Sequence, residues 1–301
     1  MKFSVHQNSQ QGARALNEDR LAYCYTRQSC LFMLADGMGG HPEGATAAQM
    51  ALHTVGLHYQ KMAKPLLRQV APFLSGAVLH AHHHLVRYAA DKGMLDTPRT
   101  TVVAAVIERN QLHAIHCGDS RLYLVRQGQL VLRTRDHSMR ERQRDTPGGE
   151  SASRNLLFSC LGSSSTPVFD TTGPLDLQQG DRLLLCSDGL WTSWGDTELA
   201  QRLSLGPLDV ATDALVDEAL RRSGARADNV SALAVEWETE DDFHPTRIST
   251  DHLEDGVFAS TLDVNAAADA DSAWDMDDDA IERTIAEINE AIRKTAARHK
   301  T

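Results

Sequence analysis

Leu31-Phe32-Met33-Leu34-Ala35-Asp36-Gly37-Met38-Gly39-Gly40 is the stretch on which the reading of this chain turns. Five apolar residues run into a carboxylate, and glycines follow. That is the pattern of a buried strand ending at a tight turn. A buried charge without a partner costs several kcal/mol, so Asp36 calls for a cation or for several donors. The glycines let the backbone approach whatever the carboxylate holds.

The pattern recurs. Leu183-Leu184-Leu185-Cys186-Ser187-Asp188-Gly189 is a second apolar run into Asp-Gly, and His116-Cys117-Gly118-Asp119-Ser120 ends a third. Asp228-Asn229 opens the apolar run Val230–Val235, and Asn17-Glu18-Asp19 precedes Leu21–Tyr25. One Asp-Gly is only a turn signal. Several aspartates at strand ends point to a shared acidic site. Clustered oxygen ligands favour Mg²⁺ or Mn²⁺ over zinc. Two such ions can share a bridging carboxylate, lower the pKa of a water between them and aim it at phosphorus. Arg14, in a short stretch that otherwise reads as a solvated loop, is a candidate clamp for phosphate oxygens.

The bulk properties narrow the class. The 301 residues are 42% hydrophobic and 24% charged, a composition of soluble globular proteins. No apolar run reaches the ~18 residues of a membrane span, and the N-terminus has no signal-peptide core, so the expectation is a cytoplasmic protein without a membrane partner. Cys24, Cys30, Cys117, Cys160 and Cys186 form no C-x-x-C pair and read as reduced core residues. Residues 238–301 hold 17 acidic and six basic residues, which accounts for the whole net charge of −11. An acidic tail argues against nucleic acid as its partner. The chain has no phosphate-binding G-x-x-x-x-G-K-[ST] loop and no C-x5-R thiol-phosphatase loop.

Periodicity predicts helices over Glu43–Met62 and Leu66–Ala90, separated by Pro65. His80, His82, His83 and His84 read as a solvent face of the second helix rather than as a metal pair. Strands are expected at Thr100–Ile107, Leu112–His116, Arg121–Arg126 and Gln129–Arg133, as an antiparallel meander. Residues 138–154 read as a polar insertion. Strands near Leu156–Cys160 and Arg182–Ser187 follow, then helices Asp196–Leu203 and Leu208–Arg222 and a last strand, Val230–Trp237. This order suits an α+β fold in which sheets pack face to face under outer helices. Residues 1–237 form the expected domain. Residues 238–279 read as an acidic flexible linker. Residues 280–301 read as an amphipathic helix whose Ile281, Ile285, Ile288 and Ile292 form a stripe that needs a partner, in this chain, a second copy or another protein.

Taken together and in order, these segments resemble the metal-dependent protein phosphatases of the PP2C (PPM) type in their bacterial form. The resemblance covers residues 5–237. It rests on Arg14-Ala15-Leu16-Asn17-Glu18-Asp19, Ala35-Asp36-Gly37-Met38-Gly39-Gly40-His41, Arg99-Thr100-Thr101, Gly118-Asp119-Ser120-Arg121, Thr134-Arg135-Asp136-His137-Ser138, Cys186-Ser187-Asp188-Gly189 and Asp228-Asn229-Val230. It implies a four-layer α-β-β-α sandwich with two antiparallel sheets flanked by helices. It implies hydrolysis of phosphoserine and phosphothreonine in protein substrates, opposing a cognate Ser/Thr kinase. It implies Mn²⁺ or Mg²⁺ as cofactor, two ions with a weaker third. By the same resemblance Asp36 bridges the two ions, the Gly37 carbonyl binds one, Asp188 and Asp228 hold the other, and Asp119 serves the third. Glu18 and Asp19 orient metal-bound waters, Arg14 grips phosphate, and Thr100, Thr101 and Asn229 are supports. Met38 stands where animal members have a proposed general-acid histidine. The resemblance therefore leaves that role open between His41 and a metal-bound water. The segment 138–154 matches the family's flap but is short, and the tail has no counterpart in the minimal bacterial domain. Two other readings stay open at this point: a phosphatase-like binding module acting through the tail, and a hydrolase of small phosphate esters.

Overall fold

The computed structural model describes residues 1–144, 156–237, 247–249 and 259–260. The remainder of the insertion, most of the acidic segment and the isoleucine-striped helix lie outside the described residues.

Twelve strands form two antiparallel six-stranded sheets among the described residues. The first sheet has the order β11-β1-β10-β9-β6-β7, with β1 Lys2–Gln10, β6 Arg121–Arg126, β7 Gln129–Arg133, β9 Arg182–Cys186, β10 Val230–Trp237 and β11 Arg247–Ser249. The second has the order β12-β2-β3-β4-β5-β8, with β2 Asp19–Tyr25, β3 Ser29–Asp36, β4 Val102–Glu108, β5 Gln111–Cys117, β8 Asp170–Asp176 and β12 Ala259–Ser260. Phe3, Phe32, Leu34, Val103, Leu122, Leu183 and Leu233 fill the space between the sheets. Helices α1 (Gly44–Met62) and α2 (Val70–Asp91) cover the outer face of the second sheet through Ala47, Ala51, Val55 and Leu85. Helices α5 (Asp196–Leu203) and α6 (Leu208–Ser223) cover the first through Leu199, Leu203 and Leu215. The short helices α3 (Met139–Arg144) and α4 (Asp188–Trp191) lie at strand ends. The four layers are those the resemblance implies.

Five points depart from the sequence reading. The strands from Thr100 to Arg133 are not one meander. β4 pairs with β5 and β6 with β7, but Gly118-Asp119-Ser120 carries the chain from one sheet to the other. Leu156–Cys160 is not a strand: only Leu157 bridges, to Ser138. β1 and β8 went unrecognised. In β1 only Phe3 and Val5 are apolar core residues, and β8 is an exposed edge strand carrying Gly173-Pro174, where proline is tolerated. The histidines of α2 are not a solvent face. His80 and His82 are buried, and His84 hydrogen-bonds Thr54 of α1 at 3.0 Å. Two pieces of the segment expected as a linker, β11 and β12, pair with β1 and β2.

The buried histidines carry a pH signature. His58 and His80 meet edge to face, their Nδ1 atoms 3.3 Å apart. Burial, then the neighbouring His80 and Lys61, push His58 down to about 4. Burial, then His83, push His82 down to about 4. The unfolded chain takes these protons near pH 6.5 and the folded one only near 4. Their stability contribution is therefore complete above about pH 6.5 and lost as pH falls toward 4, on the order of 1–2 kcal/mol per histidine at pH 5. Asn at position 82 keeps an acceptor for the Gly162 N–H, which lies 3.2 Å from His82 Nδ1. Denaturant unfolding of the chain and of His82→Asn should show the variant gaining stability relative to the parent below pH 6.5. A difference that does not change between pH 7.5 and 5 would contradict this.

Candidate active site

Strand register brings the aspartates to one end of the sandwich. Asp19 starts β2 directly opposite Asp36, the last residue of β3. Val102 opposes Cys117, so Gly118 and Asp119 leave β5 at the same end. In the other sheet Cys186 opposes both Arg121 and Ala232, which puts Asp188 just past β9 beside the entrance to β10, where Asp228 stands. β1 ends there too, with Gln10 opposite Val230, and leads into the loop that carries Arg14.

Two glycines permit this approach. A Cβ on Gly37 would lie 2.3 Å from the Gly44 carbonyl oxygen, at the start of α1. A Cβ on Gly189 would lie 2.1 Å from the Asn229 carbonyl oxygen. Each Asp-Gly therefore marks a place where two backbones touch, and this is why the aspartate beside it can reach its neighbours.

Each functional side chain has its own support. Asp36 is fixed through its backbone: its N–H donates to Thr101 Oγ1 at 3.1 Å, and its carbonyl accepts from Thr100 Oγ1 at 2.8 Å and from Thr101 N–H at 2.9 Å. Asp19 accepts from Ser187 Oγ at 2.7 Å, while its Oδ1 is buried without a hydrogen-bond donor. Asn229 clamps the Arg14 loop. It accepts from Glu18 N–H at 2.9 Å and donates to the carbonyls of Gln11 and Leu16 at 2.8 and 2.9 Å. Arg14, with its side chain 54% exposed, reaches the Asp228 carboxylate at 2.5 Å. Gly39 lies close to both Arg14 and Glu18: a Cβ there would be 3.5 Å from one and 3.4 Å from the other. Trp191 donates its indole N–H to the Asp119 carbonyl at 2.9 Å.

Electrostatics show what the cluster lacks. Burial, then the charges of Asp19, Asp188, Asp119 and Asp228, push Asp36 well above the usual carboxylate range. Burial, then Asp119, Asp228 and Asp19, do the same to Asp188. Burial, then Asp136, push Asp119 up to about 6. Burial raises Asp19 too, against the pull of the Ser231 and Ser187 hydroxyls. Carboxylates raised by one another's charge, with a buried oxygen that has no donor, are a donor set of hard oxygens that fits Mg²⁺ or Mn²⁺.

His41 stands apart in its contacts. Its Nδ1 is 2.7 Å from the Asp96 carboxylate, and Asp96 also binds Arg99 at 3.1 Å. The His41 hydrogen bond, then Arg99, hold the Asp96 carboxyl below its usual range.

Sequence reasoning assigned no role to Ser187, although it sits inside the quoted motif, nor to Ser231, which is hidden in an apolar strand. It also missed the brace beside Asp119. Arg121 makes two 2.7 Å bonds to Asp136, both side chains are buried, and the guanidinium stacks 3.5 Å from the Trp191 ring. This ties the start of β6 to the base of the insertion.

The family model for protein phosphatase 2C matches residues 7–229. The chain belongs to the protein phosphatase 2C family. It is similar to the serine/threonine phosphatase stp of Listeria monocytogenes, at 31% identity over 68% of this chain and 84% of that protein. It is also similar to the serine/threonine protein phosphatase PstP of Mycobacterium tuberculosis, at 31% identity over 74% of this chain and 42% of that longer protein. The solved structure of PstP superposes with a TM-score of 0.67 and 28% identity, covering 79% of this chain and all of that one. A catalytic domain of PstP in complex with two manganese ions superposes with a TM-score of 0.66 and 27% identity, over 78% and 98% of the two chains. These relatives agree with the resemblance read from the motifs.

The close contact at Gly189 makes one prediction. Gly189→Ala places a methyl group against the Asn229 backbone and forces the ends of β9 and β10 apart. We expect a loss of about 2–3 kcal/mol in urea unfolding. Parental stability would mean the two strand ends are not in contact.

Proposed function

We propose that this serine/threonine protein phosphatase works with two divalent ions, Mn²⁺ or Mg²⁺, at the aspartate end of the sandwich, and so reverses the action of a serine/threonine kinase. One observation carries the reading: strand register gathers Asp19, Asp36, Asp119, Asp188 and Asp228 at one end of the sandwich, where burial first and neighbouring aspartate charges next push Asp36 and Asp188 well above the usual carboxylate range. Asp36 and the Gly37 carbonyl would hold one ion, Asp36, Asp188 and Asp228 the other, and Asp119 a third. Ions bound there supply an activated water and neutralise phosphoryl oxygens.

The chain's own residues do the rest. Arg14 is half exposed, so its guanidinium would exchange Asp228 for phosphate oxygens, acceptors of like charge. Glu18 and Asp19 sit on either side of the Arg14 loop's junction with β2 and would orient water as acceptors. Asn229 holds that loop in register with Asp228. His41, steadied by Asp96, is the candidate donor of the proton that the leaving serine or threonine oxygen needs. The presence of all the acidic positions argues against a binding module that has lost catalysis. The protein substrate, rather than a small ester, is supported by the names of the relatives.

The test is phosphate release from a phosphothreonine peptide with and without Mn²⁺. Asp36→Asn removes one charge at almost constant size, and we expect kcat to fall at least 100-fold. Activity without divalent ions, or a loss under threefold in the variant, would refute the proposal.

A further inference from the structure

A second cluster of ligand-type side chains lies outside the aspartate site. His116 is the penultimate residue of β5, His137 stands at the base of the insertion, and Asp170 opens β8 opposite His116. One ligand atom from each falls within 4.8 Å of the others. The two imidazoles are buried, at 2% and 3% exposure, with ring centroids 4.6 Å apart. Asp170 is on the surface, its side chain 60% exposed, and its Oδ2 is 3.3 Å from His137 Nε2.

The hydrogen bonds decide what His116 offers. Its Nε2 lies 2.6 Å from the Arg135 carbonyl oxygen, which can only accept. Nε2 therefore carries the proton and Nδ1 the lone pair. That Nδ1 is buried with no hydrogen-bond partner, as is His137 Nε2. A buried acceptor left unmade costs about 1–3 kcal/mol. An imidazole whose far N–H is tied to a backbone carbonyl, with a bare lone pair on the near side, is in the tautomer a metal ion requires. A simple His137–Asp170 ion pair would account for one of these nitrogens and leave His116 Nδ1 unexplained.

We propose that His116, His137 and Asp170 form a binding site for a divalent transition-metal ion of the zinc class, separate from the aspartate cluster. Two imidazoles and one carboxylate are a donor set for borderline ions, with a fourth position open toward solvent on the Asp170 side. Tetrahedral ligation needs the three donors closer together, and Asp170, at the surface, is the one free to move. Ligation through His137 Nε2 also needs its Nδ1 to carry the proton. Nδ1 now accepts a long bond from Gly118 N–H, 3.3 Å. Filling the site replaces that bond, and Gly118 directly precedes Asp119. The ion thus joins β5, β8 and the base of the insertion at the point where the chain crosses between sheets.

The experiment is zinc titration of the full chain by calorimetry in saturating Mg²⁺, with Co²⁺ absorption as a second readout. Mg²⁺ occupies oxygen sites and competes poorly for imidazole. We expect one Zn²⁺ bound per chain, and a Co²⁺ spectrum of a low-coordinate nitrogen–oxygen site. Asp170→Ala, a surface change that leaves the core intact, should weaken binding at least tenfold, and His116→Gln should abolish it. No zinc binding, or equal affinity in the parent and in Asp170→Ala, overturns the proposal.

Discussion

Like charges forced into one buried place are the constraint on which this structure depends. Asp36 and Asp19 face each other across two paired strands, and beyond burial and Asp19 the charges of Asp188 and Asp119 raise Asp36 further. In water such carboxylates would repel by about 1 kcal/mol per pair, and in the low dielectric of the strand ends by several times more. The Ser187 hydroxyl, donating to Asp19 at 2.7 Å, offsets a part of this, and Arg14 beside Asp228 another. The divalent ions we propose would supply the rest of the compensation at neutral pH.

The sandwich exists to impose that proximity. Two sheets with a common core present their strand ends as a rigid rim: Asp19 and Asp36 are strand residues there, and Asp119, Asp188 and Asp228 stand within two residues of a strand end. The contacts at Gly37–Gly44 and Gly189–Asn229 pull separate strands together where a side chain would hold them apart. Around this rim are three braces of different chemistry: threonine hydroxyls on the Asp36 backbone, Asn229 on the Arg14 loop, and the Arg121–Asp136–Trp191 stack beside Asp119. The buried Arg121–Asp136 pair would be costly to break singly, which fixes the insertion's base relative to Asp119. The base of the insertion and the link that carries Asp119 are thereby joined through one ion pair.

Much of this was legible in the sequence because the rule is local. An apolar run cut short by Asp-Gly reports both the strand and its functional end, so Asp36 and Asp188 announced themselves, and the outer helices followed from their period. The unread parts are those set by partners distant in sequence. β1 has only Phe3 and Val5 to bury and owes its pairing to β10. β8 carries Gly173-Pro174 and is tolerated only at an edge. Asp119 was visible at a strand end, but no local pattern says that its three-residue link crosses between sheets. The α2 histidines looked like a polar face because imidazole is polar, yet partners distant in sequence take them in: His58 meets His80, Thr54 bonds His84 and the Gly162 N–H bonds His82. Ser231 carries no sequence signal at all.

The central claim is that divalent ions relieve a repulsion built into the fold, and thermal unfolding tests it without reference to catalysis. Because the folded pKa of Asp36 is raised, its charge destabilises the ion-free chain increasingly as pH rises above about 4. At pH 7.5 without divalent ions, Asp36→Asn should melt at a higher temperature than the parent. Adding Mn²⁺ should raise the melting temperature of the parent by several degrees and that of the variant much less. A variant that melts lower than the ion-free parent, together with a parent whose melting temperature ignores Mn²⁺, would contradict the account.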